Sequence, residues 1–112
     1  MPRGASKKTP LVISGYLYTD DPQTTGTALD TPAWLAWLES TVALSFYFQT
    51  PTASCTVRRE VKQRGGTYWV TYRCVHRQLY KVYLGPARTV THAALEAALL
   101  TLVARAGSPD HP

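Results

Sequence analysis

The stretch from Cys55 to Leu84 constrains the fold more than any other part of the chain. Two runs of alternating character, Cys55 to Arg64 and Thr67 to Cys74, flank the pair Gly65-Gly66, and a third run, Leu79 to Leu84, follows a turn around His76-Arg77. Alternation with a period of two sends successive side chains to opposite faces of a strand. Paired glycines between two such runs mark a hairpin, because glycine accepts the positive φ that tight hairpin turns need. Three antiparallel strands expose one face that must be covered, so the rest of the chain has to supply that cover.

If the two glycines alone form the loop, Arg64 faces Thr67 and the faces can be written out. One gathers Val57, Arg59, Val61 and Gln63 with Tyr68, Val70, Tyr72 and Cys74, a core lining. The other gathers Arg58, Glu60, Lys62 and Arg64 with Thr67, Trp69, Thr71 and Arg73, a basic outer face carrying an indole. An even-numbered loop around His76-Arg77 brings Tyr80 to Arg73 and sends Leu79 and Tyr83 to the core face, whereas an odd-numbered loop reverses that assignment.

The chain of 112 residues has room for one domain. The organisation expected is a flexible basic tail over 1–9, one α+β domain over 10–106 and a flexible end over 107–112. Leu11 to Tyr18 reads as a short strand and Leu44 to Gln49 as an aromatic one. Thr31 can cap a short helix near 32–43, with Pro32 at its first position, where a missing N–H costs nothing. From about Thr91 to Arg105, Ala94, Leu95, Ala98, Leu99, Leu102 and Val103 recur at helical spacing. The fold class expected is therefore an antiparallel sheet of three or more strands packed on a C-terminal helix.

Charge divides the chain unevenly. Residues 9–54 contain Asp20, Asp21, Asp30 and Glu39 and no Lys or Arg, whereas 55–88 contain eight basic residues against Glu60 alone, within an overall charge of +5. Such a basic block points to an anionic partner. The longest apolar runs fall far short of the roughly 20 residues of a membrane helix, and no export signal is recognisable, so a cytoplasmic protein with reduced, packed Cys55 and Cys74 is expected. Cys74-x-His76 lacks a CxxC knuckle and reads as a thiol and a turn imidazole rather than as zinc ligands. No carboxylate stands in a recognisable catalytic constellation, so neither an enzyme nor a cofactor is expected.

The run Arg64-Gly65-Gly66-Thr67-Tyr68-Trp69-Val70-Thr71-Tyr72-Arg73, followed by Gln78-Leu79-Tyr80-Lys81-Val82-Tyr83-Leu84-Gly85, resembles the N-terminal leader of some LuxR/MalT-type bacterial transcriptional regulators and related small stand-alone proteins. Thr31 to Glu39 and Ser45-Phe46 extend that resemblance, which implies a family label without an established chemistry. Three strands followed by a helix is also similar, in topology alone, to integrase arm-site DNA-binding domains.

These readings converge on a DNA-binding module, related to transcription or recombination, with duplex DNA favoured over a single strand. Arg58, Lys62, Arg64, Trp69, Thr71, Arg73, Arg77 and Tyr80 are the expected contact residues, the cations neutralising phosphates and the indole or an arginine reading the bases. The alternative is a protein-interaction or homodimerisation module whose contact surface comprises Trp34, Trp37, Phe46, Tyr47 and Phe48.

Overall fold

The computed structural model describes residues 9–20, 25–40, 43–63 and 65–107; all but residue 9 of the expected tail over 1–9, and all but residue 107 of the expected end over 107–112, lie outside them. Seven strands form one sheet: β1 (Leu11–Ile13), β2 (Tyr16–Tyr18), β3 (Thr27–Ala28), β4 (Ser45–Gln49), β5 (Ser54–Val61), β6 (Thr67–Val75) and β7 (Gln78–Gly85). Helix α1 (Pro32–Glu39) separates β3 from β4, and helix α2 (His92–Gly107) follows β7 after a 3-10 turn at Ala87–Thr89. The sheet order is β3-β2-β1-β4-β5-β6-β7, and every pairing is antiparallel except that of β1 with β4. This is the α+β architecture expected, with three strands in the first 30 residues where the Leu11 to Tyr18 segment suggested one. That segment is a hairpin rather than one strand, turned at Ser14-Gly15, both with positive φ.

Both helices start as their residues dictate. Thr31 caps α1, its Oγ1 accepting from the Trp34 amide at 3.3 Å, and Pro32 occupies the first turn. Thr91 does the same for α2 through the Ala94 amide at 3.1 Å, and Asp30 adds a second acceptor for the His92 amide at 2.9 Å. Leu95, Ala98, Leu99 and Leu102 form the buried stripe of α2, which packs on β6 and β7. Val103 and Leu100 lie outside that stripe and remain exposed.

The core between helices and sheet is built on aromatic rings. Trp34 stacks on Trp37 with centroids 5.8 Å apart, both meet Phe46 edge-on, and Phe46 contacts Trp69 at 5.6 Å. The Trp34 indole N–H donates to the Val90 carbonyl at 2.7 Å, which satisfies the one polar atom of a buried ring. Trp34, Trp37, Phe46 and Phe48 are therefore core residues, and of the expected apolar contact surface only Tyr47 reaches solvent.

The β5–β6 register differs from the one expected. Val61 pairs with Thr67, so the connection is a five-residue loop, 62–66, and Arg58 faces Val70 instead of Arg73. An odd change in loop length turns every β6 side chain to the other face. Trp69 and Thr71 consequently point into the core, both at 0% exposure. Lengthening the loop from two to five residues costs about 0.8 kcal/mol of closure entropy. Burying a tryptophan, at roughly 150–250 Å² and about 25 cal/mol per Å², returns several times that. The two-residue turn at His76-Arg77 is present, with Val75 opposite Gln78 and Tyr80 opposite Arg73, but the inversion of β6 places Leu79 and Tyr83 on the outer face rather than in the core.

Candidate functional site

The sheet has one face under the helices and one face away from them, and the register assigns each strand residue to a side. The helix side carries Val12, Leu17, Phe46, Phe48, Cys55, Val57, Trp69 and Thr71, all buried. The outer side carries Tyr16, Tyr18, Leu11, Ile13, Tyr47, Thr56, Arg58, Glu60, Tyr68, Val70, Tyr72, Leu79, Lys81 and Tyr83. Six of the seven tyrosines in the chain thus share this face. Tyr16, Tyr18, Tyr47 and Tyr83 are each between 44% and 59% exposed, which makes the face an accessible aromatic surface.

Cross-strand pairing sets three of those tyrosines at positions in one row. Tyr18 pairs with Leu11, Leu11 with Tyr47, Tyr47 with Thr56, Thr56 with Tyr72, and Tyr72 with Lys81. Tyrosine therefore recurs at every second strand, with a shorter side chain between. Two shallow depressions result. One is bordered by Tyr18, Leu11 and Tyr47 together with Thr9, Thr19, Asp20 and Gln49, and the other involves Leu11, Tyr47, Thr56 and Tyr72.

Polar contacts organise the β5–β7 end of the face. Glu60 accepts from the Tyr72 hydroxyl and, at 3.3 Å, from the Tyr68 hydroxyl. The reach of Tyr72 to Glu60 spans the row that holds Val70, consistent with Val70 being fully buried on an otherwise open face. Tyr68 meets Tyr83 at 5.8 Å, and the Lys81 ammonium sits 5.3 Å from the Tyr83 ring centroid. The Tyr83 hydroxyl raises the Lys81 ammonium above its ordinary value, which keeps it charged. Local desolvation, then the Glu60 carboxylate, raises the Tyr68 hydroxyl, which keeps it protonated and donating.

The expected basic face is redistributed. Arg58 is exposed on the outer face, Lys62 lies in the β5–β6 loop and Arg77 in the β6–β7 turn, at opposite ends of the sheet. Arg64 lies outside the described residues. Trp69 and Thr71 are withdrawn from the contact set, because the indole is core and the threonine hydroxyl donates to the Val82 carbonyl at 2.9 Å. Arg73 extends from the helix side and donates to the Ser54 carbonyl at 2.6 Å, while Tyr80, opposite it, packs against the core. Arg59 also belongs to the helix side. Its guanidinium donates to the Ser40 carbonyl at 2.8 Å and lies 6.0 Å from the Trp69 ring centroid.

Tyr18, Tyr72, Lys81 and Tyr83 were not among the expected contact residues, and Tyr47 was expected only in the protein-interaction alternative. The signal for some of them was present: Tyr16-x-Tyr18 and Tyr68-x-Val70-x-Tyr72 repeat a ring at strand period, and Tyr47 is the hydroxylated ring between two phenylalanines. The cysteines lie on opposite faces of neighbouring strands, both as free thiols, with Cys55 buried and Cys74 exposed rather than packed. Among the described residues no group of His, Cys, Asp and Glu is arranged to hold a metal, and no helix is long and apolar enough to cross a membrane.

No family model, no curated protein and no solved structure matches this chain.

Proposed function

We propose that the protein binds nucleic acid through the outer face of its sheet. The observation that carries this reading is the concentration of tyrosine rings on one open face, flanked by the cations Arg58 and Lys81, with Lys62 and Arg77 at the two ends of the strands. Rings offer stacking surface to bases, and cations neutralise phosphate. The one acid among the strand residues of this face, Glu60, is engaged by two tyrosine hydroxyls. A role beside transcription or recombination also agrees with the regulator leader that the Arg64 to Arg73 run resembles.

The test is fluorescence anisotropy of labelled oligonucleotides across a salt series, with the double variant Arg58→Glu/Lys81→Glu beside the native chain. Binding should weaken steeply as salt rises, and the variant should bind at least tenfold more weakly with an unchanged melting temperature. Salt-independent binding, or a variant that binds like the native protein, would count against the reading. Light scattering at the same concentrations separates it from its rival: a face used for self-association gives a dimer mass that falls when Tyr47 and Tyr83 are replaced.

A further inference from the structure

Resting on the assignment of the outer face to nucleic acid, we infer that its ligand is an unpaired strand threaded across the β-strands along Tyr18, Tyr47 and Tyr72, with bases seated against Tyr47 from either side. The width of the sheet argues first. Seven strands at about 4.8 Å spacing span about 29 Å, whereas the major groove of a duplex is roughly 12 Å wide, so this face cannot enter the groove as a unit. Unpaired bases need no groove, because each presents its own flat surface to a ring.

The row then fixes the path. Tyr18 and Tyr47 are separated by one intervening strand, as are Tyr47 and Tyr72, giving about 9.6 Å between the backbones of successive tyrosines. Leu11 and Thr56 fill the intervals with shorter side chains, which creates the two depressions on either side of Tyr47. An interval of about 9.6 Å between the strands that carry successive tyrosines leaves width for a planar base, whose stacking thickness is about 3.4 Å. Tyr47, 48% exposed and shared by both depressions, is the central platform.

Charge gives the row a direction. Lys81 closes it at β7, and Arg58 stands one row away on β5, between the columns of Tyr47 and Tyr72. At the other end Asp20 borders the depression beside Tyr18. Phosphates are favoured toward β5 and β7 and disfavoured beside the negative charge of Asp20.

The experiment measures anisotropy of fluorescein-labelled dT15, dA15 and a 15-base-pair duplex with the full chain, at one salt concentration. The variants are Tyr47→Leu, Tyr47→Phe and, as an exposed ring of the same face outside the row, Tyr16→Leu. Single strands should bind at least tenfold more tightly than duplex. Tyr47→Leu should weaken single-strand binding by about 5- to 150-fold, the usual effect of losing one ring–base stack. Tyr47→Phe should restore it, and Tyr16→Leu should stay within twofold of the native chain. Duplex bound as tightly as single strands, or Tyr47→Leu without effect, overturns the threaded strand and leaves the nucleic-acid face standing. Failure of every oligonucleotide to bind overturns both.

Discussion

Trp69 is where the two registers of the β5–β6 hairpin differ most, and its replacement by alanine separates them in free energy. With Arg64 opposite Thr67 the indole would lie on the solvent side, and a surface substitution there costs within about 0.5 kcal/mol. In the observed register it is 0% exposed, touches Phe46 at 5.6 Å and lies under the Arg59 guanidinium. Removing a buried tryptophan leaves a cavity and forfeits its transfer energy, about 3–5 kcal/mol together. A domain of this size holds on the order of 6–17 kcal/mol in total, so the loss is a large fraction of it and still leaves a measurable folded state. Urea unfolding followed by far-ultraviolet circular dichroism supplies the number. At about 1–3 kcal/mol per molar urea the midpoint should fall by at least about 1 M. A fall of less than about 1 kcal/mol would refute the inward placement of Trp69, and with it the tyrosine row, because both follow from one register.

Three further outcomes follow from the same contacts. Arg59→Met keeps the apolar stem but loses the bond to the Ser40 carbonyl and the contact with Trp69, and should cost about 1.5–3 kcal/mol in the same assay, with Arg58→Met near zero. His76 and Arg77 both have positive φ, +53° and +66°, in a two-residue turn that favours Asn-Gly, so His76→Asn/Arg77→Gly should raise stability by about 1 kcal/mol; a loss would contradict the strain reading. Cys74 should react quickly with a thiol reagent in the native state and Cys55 only on unfolding. Burial pushes the Cys55 thiol from its ordinary 9.0 up to about 11, with Arg73 opposing. The unfolded chain therefore loses this proton first, so stability should fall as pH rises from 9.0 through about 11, and Cys55→Val should flatten that decline.

Much of the architecture was legible in the residues. Thr31-Pro32 announced the start of α1, the spacing of Leu95, Leu99 and Leu102 announced the core stripe of α2, β4 followed from its aromatic content and β5 to β7 from alternation around turn residues. These signals are local, and local chemistry is what a sequence displays. The misreadings concern long-range choices. Gly65-Gly66 marks a turn but does not state how many residues the loop takes, and the answer depends on which face gains more from burial. Charge misled for a related reason: Arg73 looks identical in sequence to Arg58, yet its guanidinium is held by the Ser54 carbonyl. The tyrosine row was invisible because its members come from β2, β4 and β6, and only the pairing of strands distant in sequence brings them together. Ser14-Gly15 was the overlooked turn signal that makes this extension of the sheet possible.

The most direct test of the outer face as the binding surface is a titration of isotope-labelled protein with dT15, following amide and tyrosine ring signals by nuclear magnetic resonance. Resonances of Tyr18, Tyr47, Thr56, Arg58, Tyr72 and Lys81 should shift in a saturable manner, while those of Leu95, Leu99 and Leu102 beneath the sheet stay in place. Shifts confined to α1 and α2, or no saturable shift on the tyrosine row, would contradict it.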